Sequence, residues 1–164
     1  MWLRALLACG LAVPLPLSAV TSQSFQVSAT ITPGCLIVGG GSNYGALTYG
    51  SYSALATNTV TAALTGGVTL QCTPGVALSM SINGGQNYAS VRRMTRSGGT
   101  DVVAYRLYSS SSLAANSEIG VNQAIPVTYT NSNNIALPLF GVALLTGFSP
   151  AGTYSDQRTV TLSW

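Results

Sequence analysis

The chain has 164 residues, of which 47% are hydrophobic and only 5% carry a charge; six arginines stand against three acidic residues, with no lysine and no histidine. This composition is the opposite of that of a disordered chain, and a formal net charge of +3 is too small for a nucleic-acid partner. Catalytic sites and metal sites that depend on histidine or lysine are excluded as well, and the length suits one domain with a sizeable core.

The amino terminus has the pattern of a secretory signal peptide. Arg4 supplies a positive charge, and an apolar stretch follows from Ala5 to Leu17. The small residues Ser18 and Ala19 form an acceptable cleavage site, so residues 1–19 are predicted to be removed on export. A lipoprotein signal around Cys9 is an alternative, but it would leave an apolar region of only a few residues.

Two cysteines, Cys35 and Cys72, remain after the predicted cleavage. Because an exported chain folds in an oxidising compartment, one disulfide between them is expected. The alternative is a pair of buried free thiols. No metal site is expected, since neither cysteine has histidine or acidic neighbours.

The rest of the chain alternates between apolar and polar residues with a period of two, which predicts strands rather than helices. Glycine-rich and Asn-rich segments separate these runs and are typical of turns. Roughly seven short strands with such turns favour one antiparallel β-sandwich domain. Pro126 and Pro138 fall within apolar runs, so we expect edge strands or bulges there. The predicted inward-facing sets, in chain order, are Phe25, Val27, Ala29 and Ile31; Val68, Leu70 and Cys72; Leu78, Met80 and Ile82; Val103, Tyr105 and Leu107; Ile125, Val127 and Tyr129; Ile135, Leu137 and Leu139; and Val160, Leu162 and Trp164.

Few side chains offer chemistry. The candidates for acid–base catalysis of the glycosidase kind are three carboxylates, Asp101, Glu118 and Asp156. Scattered along a strand-rich chain, they are better explained as turn residues or arginine partners, so we predict no enzyme activity, no cofactor and no metal. The arginines at 92, 93 and 96 are interpreted as a solvated turn or, alternatively, as a contact for an acidic patch on a neighbouring subunit.

One alternative architecture is a small outer-membrane β-barrel, since such proteins also alternate throughout and end in an aromatic residue as Trp164 does. The low number of charged residues, the small aromatic fraction and the shortness of the predicted strands argue against it. A secreted structural protein is a second alternative.

Several segments, in their order and spacing, resemble the spore coat protein U domain family, which includes subunits of archaic (Csu-type) chaperone–usher pili. Departing from many relatives, the chain has Ile119-Gly120 where they have a Trp-Gly pair. The segments that carry the resemblance are Phe25 to Ile31 with Gly34-Cys35, Tyr49-Gly50, Gly66 to Cys72, Ile82 to Gly85, Arg93-Met94, Asp101 to Tyr108, Leu137 to Gly141 and Gly152 to Asp156.

The resemblance implies an all-β fold, an incomplete immunoglobulin-like β-sandwich that a donor strand completes. Such pilins lack their last strand, which leaves a hydrophobic groove between the sheets. It also implies three kinds of partner: a periplasmic chaperone, an outer-membrane usher, and neighbouring pilin subunits that form a homopolymer. The expected function is that of a structural subunit which polymerises by donor-strand exchange into a cell-surface pilus for adhesion or biofilm formation.

The predicted organisation is a signal peptide at 1–19, a donor-strand segment at 20–34 and a pilin domain at 35–164. In the donor segment, the inward residues are predicted to be Phe25, Val27, Ala29 and Ile31, and no charge there opposes burial. The alternative is that this segment is the domain's own first strand. By family analogy, Val160, Leu162 and Trp164 line the groove and contact the chaperone.

Overall fold

The computed structural model describes residues 23–41 and 43–164, so the predicted signal peptide lies outside the described residues. Residues 23–31 belong to one unit, and Thr32–Trp164 form a second. Residues 23–34 form no strand, and the side chains from 23 to 33 are exposed. The division at residue 35 between a donor segment and a pilin domain stays a prediction.

The second unit is all-β, as predicted. Its regular structure consists of short strands and a single 3₁₀ turn, Ala115–Ser117, and the described residues contain no helix long and apolar enough to cross a bilayer. The strands are β1 (Cys35–Ile37), β2 (Ala46–Leu47), β3 (Thr59–Thr65), β4 (Leu70–Cys72), β5 (Ser79–Ile82), β6 (Arg92–Arg96), β7 (Val102–Tyr108), β8 (Ile125–Pro126), β9 (Phe140–Leu144), β10 (Tyr154–Ser155) and β11 (Val160–Ser163).

The strands form three antiparallel sheets. The largest has the order β10-β6-β7-β9-β3-β2, a second has the order β11-β5-β8, and β1 pairs with β4 in a third. In the three-stranded sheet, Val160 lies opposite Ile82 and Leu162 opposite Met80. The third sheet sets Cys35 opposite Cys72. Apolar residues from all three sheets meet in one core, which is the arrangement expected of a sandwich.

The predicted inward faces of the central strands are confirmed. Leu70 and Cys72 on β4 are buried, as are Met80 and Ile82 on β5. On β7 Val103, Tyr105 and Leu107 are buried as predicted, and Tyr108 at the end of the strand is buried as well. In β4 and β5 the buried residues alternate with polar neighbours, because successive side chains of a strand point to opposite faces. The alternation in β7 holds up to Leu107 and ends at Tyr108, with the half-buried Ala104 on the outer face.

The segment 135–139 was expected to be a strand, and this is wrong in one respect. Ile135, Leu137 and Leu139 are buried as predicted, but the segment forms only an isolated bridge between Ile135 and Leu70. Pro138 has no backbone N–H to add to a ladder. The segment also passes from one sheet to another, since the Leu139 carbonyl accepts a hydrogen bond from the Leu64 N–H of β3.

The predicted strand at Ile125–Tyr129 is shorter than expected. Only Ile125 and Pro126 pair with β5, and β8 lies at the edge of its sheet, as the proline required. Val127 beyond it is buried and donates its N–H to the Leu78 carbonyl. The alternation therefore predicted the buried face correctly, although the regular strand comprises only two residues.

Candidate functional site

The strand β11 has one unpaired edge. It pairs in register with β5, and within the part of the chain that the structure describes no second strand lies beside it. Likewise, β1 pairs with β4 and with no other described strand. An unpaired edge presents a row of backbone N–H and C=O groups that can bond to an added strand.

The inward side chains next to these edges are covered incompletely. Val160 and Leu162 of β11 pack against the core but are only half-buried, and so are Cys35 and Ile37 of β1. By contrast, Met80 on the paired strand β5 is 1% exposed. Apolar surface therefore remains open at both edges, and an additional strand with apolar side chains could bury it.

Trp164 was predicted to share the face of Val160 and Leu162. It lies one residue beyond the end of β11, and its side chain is 59% exposed. The proposed groove-lining role of these three residues stays a prediction, with Trp164 at its margin.

The strand β1 is attached covalently to its partner β4 at the cysteine pair. The disulfide between Cys35 and Cys72 is present and joins β1 to β4. Next to it, the Gly34 carbonyl accepts a hydrogen bond from the Thr73 N–H at 2.9 Å, and the Gly34 N–H donates to Thr73 Oγ1 at 3.2 Å. These contacts fix the beginning of β1 beside β4, and the other edge of β1 stays unpaired among the described strands.

The predicted donor residues lie in the strandless segment before β1. Phe25 is 87% exposed, Val27 is 82% exposed and Ile31 is 88% exposed. Ala29 is exposed as well. Three large apolar side chains at alternating positions of one strandless segment are thus exposed, which is unusual for residues of these types.

A buried polar cluster precedes β11, and sequence reasoning did not find it. Asp156 pairs with Arg158, and their side chains are 4% and 11% exposed. The Tyr105 hydroxyl donates to Asp156 Oδ2 at 2.9 Å, while the Arg158 guanidinium lies over the Tyr105 ring with Cζ 5.2 Å from the ring centroid. We call these three residues the Tyr105–Asp156–Arg158 cluster.

Burial governs the ionisation of this cluster. It raises the pKa of the Tyr105 hydroxyl to about 12, although the charge of Arg158 opposes that rise. Burial also lowers the pKa of Arg158 and raises that of the nearby Tyr49. The rings of Tyr49 and Tyr105 are 6.4 Å apart. Both tyrosines are therefore neutral at ordinary pH, and neither supplies a base.

The model of the Spore Coat Protein U domain family matches residues 21–161. The chain belongs to the Spore Coat Protein U domain family. Its fold is similar to that of one chain in the crystal structure of the CsuC–CsuE chaperone–tip adhesion subunit pre-assembly complex, from the archaic chaperone–usher Csu pili of Acinetobacter baumannii. The TM-score is 0.54 at 17% sequence identity, with 82% of this chain and 41% of that chain covered. Among curated proteins no match was found.

Membership of the Spore Coat Protein U domain family confirms the resemblance found in the sequence. The Ile119-Gly120 pair, where the chain departs from many relatives, occupies an ordered position. Ile119 is completely buried, and the Gly120 carbonyl accepts a hydrogen bond from Arg92. The departure therefore does not disturb the fold at this point.

One interpretation of the arginines was wrong. Arg92 to Arg96 form β6 rather than a turn, and Arg92 is only 4% exposed. Its guanidinium donates to four backbone carbonyls, with distances of 2.6 to 3.2 Å, which belong to Ile82, Asn83, Ile119 and Gly120. Burial lowers the pKa of Arg92. Arg92 thus connects β6 to the end of β5 and to the 119–120 segment, and it is not part of a solvated surface.

The carboxylates have the role that the sequence favoured. Asp101 pairs with Arg96 at 2.6 Å, and Glu118 pairs with Arg106 at 2.6 Å, both near the surface. Asp156 pairs with Arg158 in the buried cluster. These pairs place the three acids as arginine partners and not as a facing carboxylate pair.

Proposed function

We propose that the protein is a structural pilus subunit that polymerises by donor-strand exchange. In this proposal, residues 20–34 of one copy add as a strand along the unpaired edge of β11 in the next copy. Their inward side chains also cover the half-buried residues of β1 in that copy. Because each copy both donates and accepts a strand, the contact does not close and the product is a filament. The mode of recognition is strand addition, for which pilin assembly is a known example.

The observation that carries this proposal is the match between two exposed features of the same chain. One is an edge strand whose apolar residues, Val160 and Leu162, are half-buried. The other is an uncharged segment with Phe25, Val27 and Ile31 each more than 80% exposed. Each feature alone is an aggregation hazard. The segment can supply a strand with apolar side chains, and the edge can supply backbone partners and an apolar surface.

The energetics favour this docking. Burial of each of the three large side chains contributes about 1.5–3 kcal/mol, and Ala29 contributes less. Each backbone hydrogen bond formed along the edge adds about 1 kcal/mol net. Ser24, Gln26, Ser28 and Thr30 alternate with the apolar residues and would stay on the outer face, where no desolvation penalty arises.

The family and the chaperone–subunit complex of the structural relative suggest the partners. We propose that a periplasmic chaperone covers the β11 edge after export, and that an outer-membrane usher exchanges it for the donor segment of another copy. The product would be a homopolymeric pilus on the cell surface that serves adhesion or biofilm formation. Genes for a chaperone and an usher next to this gene would support these partners, and their absence would count against them.

Deletion of residues 20–32 separates donation from folding. The truncated chain should accumulate and accept a strand, but it should form no SDS-resistant ladder with itself. A synthetic peptide of residues 23–32 serves as the control, because it should bind the open edge of the truncated chain and protect that chain from aggregation. The donor assignment is wrong if the truncated chain alone still forms ladders.

A further inference from the structure

The pairing of β11 with β5 is ambiguous by two residues if the two strands alone are considered. The strand β5 reads Ser-Met-Ser-Ile, and β11 reads Val-Thr-Leu-Ser. A slip of two residues would again set apolar residues opposite apolar ones and hydroxyl residues opposite hydroxyl ones. Alternation excludes a slip of one residue, since that would turn the apolar face outward, but it does not exclude a slip of two.

The Tyr105–Asp156–Arg158 cluster removes this ambiguity. Asp156 and Arg158 lie four and two residues before β11, respectively, and they contact Tyr105 of the six-stranded sheet. On the other side, the Arg158 guanidinium lies against Gly85, where an added Cβ would overlap it. A slip of two residues would move Arg158 away from this place and bring either Val160 or Asp156 into it.

Hydrogen bonds next to the cluster also favour the native register of β11. The Thr159 N–H donates to Asn83 Oδ1 at 3.1 Å, and the Asn83 N–H donates to the Thr159 carbonyl at 3.2 Å. The end of β5 and the beginning of β11 are thus joined in one specific pairing.

The position of the cluster is informative because buried ion pairs contribute little to stability. Desolvation of two ions costs several kcal/mol, and well-packed apolar residues often stabilise a protein equally well. The best-attested benefit of a buried polar group is the selection of one register among several. In a chain with 5% charged residues, this ion pair is placed directly before an edge strand of ambiguous register.

We propose that Asp156 and Arg158 are positioning residues that fix the register of β11 and so prepare the edge that accepts the donor segment. The acceptance of a donor segment at this edge rests on the proposed function, whereas the register of β11 can be measured without any donor.

Engineered cysteine pairs report the register in the full-length exported chain. Ser81 lies opposite Thr161, so Ser81→Cys with Thr161→Cys should cross-link in the native pairing. Ser79→Cys with Thr161→Cys should cross-link only after a slip of two residues. Mass spectrometry of the linked peptides distinguishes both from the Cys35–Cys72 disulfide.

In the otherwise unchanged chain, the native cross-link should exceed the slipped one by about tenfold or more. Replacement of the pair by Asp156→Leu with Arg158→Met should bring the two yields close together, without a lower thermal midpoint. Capture of a labelled 23–32 peptide should fall about tenfold. The matched control is Arg106→Met with Glu118→Leu at an exposed ion pair, which should change neither yield nor capture.

If the double variant does not accumulate, Tyr105→Phe provides the second test, because it removes the 2.9 Å hydrogen bond to Asp156 and no charge. It should also increase the slipped cross-link. The inference is overturned if the variant that accumulates keeps the native cross-link alone and captures the peptide as the unchanged chain does. Failure of the unchanged chain to capture the peptide would refute the proposed function instead, and the cross-links would still decide the register.

Discussion

Ile31→Asp is the sharpest single substitution in the donor segment, and Thr30→Asp is its matched control. Both introduce the same charge into the same exposed, strandless segment. The two side chains point to opposite faces once the segment is extended as a strand. Ile31 would enter the apolar surface beside β11, and Thr30 would face water. The two variants therefore test the docked face and not the general effect of a charge.

The expected magnitude follows from burial. Ile31 is 88% exposed, so docking would bury almost the whole side chain and contribute about 1.5–3 kcal/mol. An aspartate there loses this contribution. It must also take up a proton to enter an apolar pocket, which costs about 4 kcal/mol at pH 7 for a group of ordinary pKa 3.9. The sum of about 6 kcal/mol corresponds to about 10⁴-fold weaker docking.

Labelled 23–32 peptides that carry each substitution can be compared for capture by the full-length chain. The Ile31→Asp peptide should show no measurable capture at concentrations that saturate the unchanged peptide. Thr30→Asp should weaken capture by less than about tenfold, because its carboxylate stays solvated. Equal effects of the two substitutions, or capture of Ile31→Asp at the unchanged affinity, would refute the assignment of the docking face.

Three further predictions concern stability, each measured by denaturation of the full-length chain. Arg92→Met should lower the free energy of unfolding by about 3 kcal/mol, because four backbone carbonyls lose their donor. Arg93→Met is the control and should lower it far less, since Arg93 donates to one backbone carbonyl. Reduction of the Cys35–Cys72 disulfide, which closes a loop with a sequence separation of 37, should cost about 4 kcal/mol, and an unchanged denaturation midpoint would contradict this. Because burial raises the pKa of Tyr105 to about 12, the stability contributed by its protonated hydroxyl is complete below pH 10 and is lost between pH 10 and 12. This share of the alkaline loss, read as the difference between the unchanged chain and Tyr105→Phe, should reach about 3 kcal/mol, and equal declines in the two chains would contradict it.

Alternation predicted the buried faces well and the hydrogen-bonded ladders less well. The faces of β4, β5 and β7 agree with the sequence, and so do the buried residues of the segment 135–139. Side-chain burial follows from local pattern, because a strand-like segment has two faces wherever it lies. Ladder formation also requires a neighbouring strand and backbone donors, which Pro138 removes. The sequence shows the alternation and the prolines, but the identity of the neighbouring strand depends on the fold.

The sequence interpretation was least successful for charged residues. Arg92 was expected in a solvated turn, and it is buried among backbone carbonyls from two other segments. The acceptors are main-chain groups, so no pattern of side chains indicates them. Asp156 and Arg158 did leave a signal, since two opposite charges precede an apolar strand in a chain with very few charges. Their contact with Tyr105, 51 residues from Asp156, depends on the fold.

The central claim is that residues 25–31 become a strand of the neighbouring copy. Hydrogen exchange tests it most directly, because these residues form no strand within their own chain. In assembled fibres, the amides of residues 25–31 and those of β11 should both exchange far more slowly than in the unassembled chain. Fibres in which residues 25–31 exchange as rapidly as in the unassembled chain would contradict the account.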